Sequence, residues 1–110
     1  MVIVMVSEVP ISKEQEEMIE ALIKDLPTLR KHMGISQTAL GEKIGLSRQS
    51  ISSIERGATR MTWNAYLSFM MFFTMNSGNM FYFPRKNDYK YTKHLEKLLK
   101  IMKNDTPINL

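Results

Sequence analysis

The chain contains no cysteine and only two histidines, His32 and His94, in 110 residues. The absence of cysteine excludes a disulfide framework, a catalytic thiolate and a zinc site with cysteine ligands. The two histidines are far apart in the sequence and belong to no ligand motif, which argues against a histidine-based metal site. We therefore expect no metal and no other cofactor.

Long apolar stretches are also missing. No run approaches the roughly 18 consecutive apolar residues that a membrane-spanning helix needs, and 24% of the residues are charged. The first six residues are apolar, but no basic residue precedes them and no small-residue cleavage site follows, unlike a signal peptide. We expect one small cytoplasmic protein with no membrane partner, in which Val2–Val6 forms a strand or an interface arm.

Patterns typical of catalysis are absent as well. We find no carboxylate pair, no nucleophile–base set, no glycine-rich phosphate loop and no metal-ligand spacing. A chain of 110 residues also has little room to enclose a substrate. The sequence therefore predicts a protein that is not an enzyme.

Charge is distributed unevenly along the chain, whose net charge is +4. Residues 1–25 hold two lysines and six acids, residues 26–60 six bases and two acids, and residues 61–110 seven bases and three acids. A basic body behind an acidic head fits a polyanionic partner, either nucleic acid or an anionic membrane surface. It fits a solvated lysine-rich face equally well, so only a motif can decide.

The first predicted helix begins at Ser12, which forms a capping-box pattern with Gln15. Proline deep inside a helix removes a hydrogen bond, so Pro27 leaves two possibilities for residues 12–33. They form either one sharply kinked helix or two helices, the second capped by Asp25.

Further capping residues and helical apolar spacing predict four more helices. These run from Ser36 to about Ile44, from Ser47 to about Arg56, from Trp63 to Met75 after a Thr62 cap, and from Asp88 to about Lys103. We therefore expect an all-α fold.

Residues 37–56 meet the steric demands of two helices that cross near a right angle over a three-residue turn. The fifth residue must be small at the crossing and is Gly41, and the ninth must adopt a positive φ and is Gly45. Five further positions must be apolar, and they are Leu40, Ile44, Leu46, Ile51 and Ile54. Agreement at all seven positions predicts a helix-turn-helix, and the plainer alternative is a helical corner with no DNA role.

These residues resemble the XRE family, the helix-turn-helix of phage repressors and Cro. The resemblance extends over about residues 26–75 and is carried by Leu29-Arg30, Gly34-Ile35-Ser36-Gln37, Gly45 to Ile51, and Ile54-Glu55-Arg56-Gly57. It implies a compact lambda-repressor-like bundle, to which the helix predictions add an extra N-terminal helix and a C-terminal helical extension. The domains are then 1–25 as arm and helix, 26–75 for DNA binding and 76–110 as a dimerisation extension.

A recognition helix presents its N-terminal residues to the major groove, where arginine can bond guanine and glutamine can bond adenine. Geometry and resemblance together assign base reading to Arg48, Gln49, Ser50 and Ser53. The resemblance implies a phosphate clamp at the helix start occupied by Gln37, and it implies a structural ion pair between Arg30 and Glu55. The full set of candidate phosphate contacts is Ser36, Gln37, Ser47, Arg56, Thr59 and Arg60.

The predicted helix at residues 63–75 is apolar on almost every side. This is more apolar surface than one small domain can bury. We assign to the core the face made by Tyr66, Phe69, Met70 and Phe73. An exposed apolar remainder indicates an interface. The candidate residues for a homodimer contact are Leu67, Met71, Phe72, Phe81, Phe83, Leu95 and Leu98.

Two functions fit these features. The first is a sequence-specific DNA-binding transcriptional regulator of repressor type, which acts as a homodimer on a two-fold operator in double-stranded DNA. The second is an antitoxin or anti-repressor, an interaction protein whose apolar C-terminal half binds a partner protein. A pure chain that is dimeric and binds DNA alone favours the first.

Overall fold

The computed structural model describes residues 10–76 and 89–103, and of residues 89–92 only the backbone. Over these residues the chain forms α-helices and no strand, which confirms the predicted all-α fold. The helices are α1 (Lys13–Met33), α2 (Gln37–Ile44), α3 (Arg48–Glu55), α4 (Trp63–Asn76) and α5 (Tyr89–Met102). No helix in these two ranges is long and apolar enough to cross a membrane. Three predictions lie outside the described residues: the Val2–Val6 arm, the contacts of Phe81 and Phe83, and the Asp88 cap.

The N-terminal region is one helix of 21 residues rather than two, and Pro27 lies inside it. Its start is the predicted capping box, in which Ser12 Oγ accepts from the Gln15 amide and Gln15 Oε1 accepts from the Ser12 amide. The apolar stripe continues through the proline, with buried residues on both sides of it: Met18, Ile19, Leu22, Leu26, Leu29 and Met33. Burial of this continuous face offsets the roughly 3 kcal/mol that an interior proline costs.

Two glycines permit the close crossing of α2 and α3. A Cβ on Gly41 would overlap the backbone carbonyl oxygen of Leu46, so only glycine fits there without a backbone shift. Gly45 has φ 80°, and its amide and that of Leu46 both donate to Gly41 O, at 2.8 and 3.0 Å. This arrangement confirms the steric prediction for both positions.

The core lies between α1, the α2–α3 pair and α4. Its α4 face is the predicted one, because Tyr66, Phe69, Met70 and Phe73 are all fully buried. Leu40, Ile51 and Ile54 of the helix-turn-helix are also buried, whereas Ile44 and Leu46 are half-buried at the edge of the core. The position of α3 is therefore fixed by apolar contacts beneath it.

The last helix, α5, packs against α1 and α4. The side chain of His94 in α5 is buried, and its Nε2 lies 2.8 Å from Oδ2 of Asp25, in the middle of α1. Asp25 is therefore not the helix cap that one sequence interpretation suggested, because α1 continues past it. Leu95, Leu98 and Ile101 of α5 are half-buried against the core.

Candidate nucleic-acid interface

The outward face of α3 is polar because its two apolar residues, Ile51 and Ile54, point into the core. Ser47 caps the helix, and its Oγ accepts from the Ser50 amide at 3.0 Å. Arg48 and Gln49 follow in the first turn, and both are exposed. The two longest candidate base-reading side chains therefore extend from a helix end whose backbone is held by a cap and by the core.

The other two candidate base-reading residues have short side chains and are half-buried. The Ser50 hydroxyl accepts from Ser47 Oγ at 3.0 Å. The Ser53 hydroxyl accepts from Arg56 Nη2 at 3.3 Å. Both hydroxyls are thus already hydrogen-bonded within the helix, and neither extends beyond Arg48 or Gln49.

Arg56 lies at the C-terminal end of α3, and its exposed side chain turns back along the helix. Its Nε donates to Ser52 O at 3.3 Å, in addition to the bond from Nη2 to Ser53. The guanidinium therefore lies on the outward face of α3, one turn before its own Cα.

A network of charged and polar groups joins α3 to the rest of the domain. Arg30 donates to both oxygens of Glu55, from Nε to Oε2 at 2.8 Å and from Nη2 to Oε1 at 3.2 Å. Arg30 Nη1 also donates to Ile35 O at 3.2 Å. The side chains of Arg30 and Glu55 are 18% and 8% exposed, so this is the partly buried ion pair that the family resemblance implies.

Gln37 belongs to the same network, which the sequence did not predict. Its Nε2 donates to Glu55 Oε1 at 3.0 Å. A carboxylate accepts hydrogen bonds and cannot donate them, so Glu55 determines which end of the Gln37 amide faces it. The candidate phosphate clamp is therefore held in one orientation by the residue that also anchors α3 to α1.

The remaining candidate phosphate contacts lie on both sides of α3. Ser36 and Ser47 are helix N-caps that accept from backbone amides, and Thr59 is exposed in the loop after α3. Arg60, in the same loop, donates from Nη2 to Glu16 Oε1 at 2.6 Å. Sequence reasoning missed this pair, because its partners are 44 residues apart.

Within the described part of the chain, no cluster of three or more histidine, cysteine or acidic side chains could hold a metal ion. Burial raises the pKa of Tyr66 from 10.0 to about 12, so this side chain stays neutral at physiological pH.

Comparison with known proteins gives one match. Residues 28–62 match the model of the protein family described as helix-turn-helix. The matched segment runs from the second half of α1 through α2 and α3 to the loop before α4, so it contains every candidate base-reading and phosphate-binding residue. Searches of curated proteins and of solved structures found no match.

Proposed function

We propose that this chain is a repressor-type transcriptional regulator of the XRE family, which reads a two-fold operator as a homodimer through the helix-turn-helix matched at residues 28–62. The observation that carries the proposal is the outward face of α3, which is polar along its length and supported by buried isoleucines beneath it. This is the geometry of a helix that enters the major groove.

In this proposal Arg48 and Gln49 make the principal base contacts. Both are exposed in the first turn of α3, where a recognition helix comes closest to the base edges. Arginine can donate two hydrogen bonds to guanine, and glutamine can donate and accept one each with adenine. Ser50 and Ser53 are short and already hydrogen-bonded, so we assign them a smaller share of the readout.

Phosphate contacts flank the reading face. The first turns of α2 and α3 have backbone amides with no partner inside the helix, and these amides attract phosphate oxygens. Ser36 and Ser47 cap these two turns, and Gln37 is oriented by Glu55 at the first of them. Thr59 and Arg60 serve the backbone on the far side of α3. Such contacts add affinity through counterion release without sequence information.

The homodimer is supported by apolar surface on α4 and α5. Met71 and Met75 are 66% and 79% exposed, and Leu99 and Met102 are 60% and 58% exposed. We propose that these four residues form one apolar surface, which we name the methionine–leucine surface. Of the interface residues predicted from sequence, Met71 belongs to it, whereas Leu67, Phe72, Leu95 and Leu98 are half-buried against the chain's own core. We therefore centre the proposed contact on the methionine–leucine surface, with those four residues at its edge.

The proposal is tested by selecting binding sites from a random duplex pool and measuring the selected site by fluorescence anisotropy. We expect Arg48→Ala and Gln49→Ala each to weaken binding to that site by about 1–3 kcal/mol, with little effect on random DNA. Lys43→Ala is the control for Arg48→Ala, because it removes the same charge from an exposed position on α2. Equal losses on both DNAs, or a Lys43→Ala variant as weak as Arg48→Ala, would contradict base reading.

A second function is favoured by the same methionine–leucine surface. As an antitoxin or anti-repressor, the chain would use this surface to bind a partner protein, because an exposed apolar patch of this kind commonly marks a protein contact. A monomeric chain that enriches no sequence from the duplex pool would support this function over the first.

A further inference from the structure

Three polar residues, Gln49, Ser53 and Arg56, follow one another along the outward face of α3. Seven residues separate Gln49 from Arg56, so the two positions differ by only roughly 20° around the helix axis. Ser53 lies between them on the same side, roughly 40° from Gln49. Gln49, Ser53 and Arg56 therefore share one side of α3, and Arg56 is the longest of these three side chains.

The guanidinium of Arg56 does not lie at the end of the helix where its Cα is. Helical side chains point toward the N-terminus and cover the preceding turn. The two hydrogen bonds of Arg56 show this direction, because Nε donates to Ser52 O and Nη2 donates to Ser53 Oγ, both at 3.3 Å. The positive charge is thereby brought level with Ser53, a position in the reading part of α3.

The guanidinium keeps the donors that a base contact needs. Arginine has five N–H groups, and Arg56 uses two of them on neutral oxygen atoms. Guanine O6 and N7 accept two parallel N–H bonds. Arg60 differs, because its guanidinium is already paired with the carboxylate of Glu16. Ser53 is too short to fill the groove at its level, so the side chain that projects there is that of Arg56.

We propose that Arg56 is a specificity-determining residue that donates to a guanine in the major groove at the level of Ser53, rather than a phosphate contact. The inference rests on the proposed DNA-binding function. Ser53 acts as a positioning residue, since its hydroxyl holds the guanidinium over α3 before DNA arrives. Each half-site then contains a guanine whose recognition depends on Arg56.

The test compares Arg56→Lys with the wild type on the selected operator and on a panel of single-base substitutions. Lysine retains the charge but has no planar fork for two parallel bonds. We expect Arg56→Lys to lose about tenfold or more on the operator. At one position in each half-site, replacing the guanine should weaken DNA binding by the wild type. The same base replacement should not weaken DNA binding by Arg56→Lys any further. Ser53→Ala should show a smaller loss at the same guanine and none elsewhere.

Each of the following results would overturn the inference. Arg56→Lys could bind all sequences as the wild type does, or lose affinity uniformly across the panel, and either would return Arg56 to the phosphate backbone. The wild type could also select no sequence, which would overturn the proposed function as well. If Arg48→Ala loses sequence specificity while Arg56→Lys keeps the wild-type binding profile across the panel, the inference about Arg56 fails but the proposed DNA-binding function stands. Unchanged melting temperatures establish that the variants are folded, as expected for an exposed side chain.

Discussion

At the residue scale, Tyr66 combines a well-packed ring with a poorly satisfied hydroxyl. The ring is fully buried and stacks on Trp63 with centroids 4.8 Å apart. Its Oη is buried and has no hydrogen-bond partner among the described residues. Burial of an unpaired hydroxyl costs about 1–3 kcal/mol, so the apolar contacts of the ring must explain why tyrosine is tolerated at this position.

We expect Tyr66→Phe to leave the free energy of unfolding at pH 7 unchanged or to raise it by up to about 1 kcal/mol, because it removes only the unpaired hydroxyl. The pH dependence should differ more clearly. The pKa of Tyr66 is raised to about 12 in the folded chain. The unfolded tyrosine releases its proton near pH 10, so stability is lost as the pH rises from about 10 to 12.

Denaturant unfolding of both proteins between pH 8 and 12 checks this prediction, because that range begins below the pKa of the unfolded tyrosine and ends near that of the folded one. As the pH rises from about 10 to 12, the free energy of unfolding of the wild type should fall by up to about 2–3 kcal/mol relative to that of Tyr66→Phe. All other titratable groups are the same in both proteins, so the difference between their free energies of unfolding isolates Tyr66. If the free energies of unfolding of the two proteins depend on pH in the same way, the hydroxyl of Tyr66 is not desolvated.

At the element scale, the start of α1 is linked to the DNA-binding side of the molecule. Fourteen residues separate Glu16 from Arg30, which places them within roughly 40° of each other on α1. Arg30 contacts α3 and Glu16 contacts Arg60 in the loop after α3. The acidic first turns of α1 therefore lie beside a residue that we assign to the phosphate backbone.

Glu16→Gln should strengthen DNA binding by a few-fold, because Arg60 would no longer have to leave a carboxylate before it meets a phosphate. The pair is largely exposed, so it contributes at most about 1 kcal/mol and its loss should leave the melting temperature nearly unchanged. Glu17→Gln removes the same charge from the neighbouring exposed position. Anisotropy titrations at several salt concentrations should show the gain in Glu16→Gln alone, and an equal gain in both variants would reduce the effect to net charge.

The last helix, α5, packs against a different side of α1 from the one that carries Arg30. Asp25 lies roughly 140° around the helix from Arg30, and it binds the buried His94 at 2.8 Å. The contacts that orient α3 and those that hold α5 are thus on opposite sides of α1. This separation predicts that α5 can be loosened without disturbing the reading face.

His94→Ala should lower the free energy of local opening of α5 by about 1–3 kcal/mol, because it leaves a cavity and removes the α5 partner of the half-buried Asp25 carboxylate. Amide hydrogen exchange should become faster in α5 while the amides of α3 keep their protection. Lys93→Ala, at an exposed position one residue earlier, is the control and should change neither. Faster exchange in α3 of the His94→Ala variant would mean that the two flanks are coupled.

At the scale of the whole molecule, the proposed dimer depends on the methionine–leucine surface. Its residues come from α4 and α5, whereas the reading face is on α3, so one chain can present both surfaces at once. To bind both half-sites of an operator, a two-fold contact through α4 and α5 would have to set the recognition helices about 34 Å apart, one turn of DNA.

Met71→Asp should convert a dimer into a monomer, because it introduces a charge at a position that is 66% exposed in the single chain and buried in the proposed contact. Light scattering at tens of micromolar chain measures the change, and operator affinity should fall with it. Asn64→Asp adds the same charge to an exposed position at the other end of α4 and should remain dimeric. A monomeric wild type with no response to Met71→Asp would defeat the dimer and favour the partner-protein function.

The sequence alone determined the parts of this protein that depend on neighbouring residues. The Ser12, Ser36 and Ser47 caps act across three residues, and the glycines of the turn meet steric demands set by the adjacent backbone. These demands depend only on residues close in the chain, so the helix-turn-helix and its outward polar face could be predicted.

Only the tertiary structure decided the contacts between distant residues. Glu16 meets Arg60 across 44 residues, Asp25 meets His94 across 69, and Gln37 joins the Arg30–Glu55 pair. It also decided that α1 runs through Pro27, because the energy that compensates for a lost hydrogen bond comes from side chains buried against other helices. Such energies depend on which surfaces the folded chain brings together, and spacing along the sequence carries no record of that.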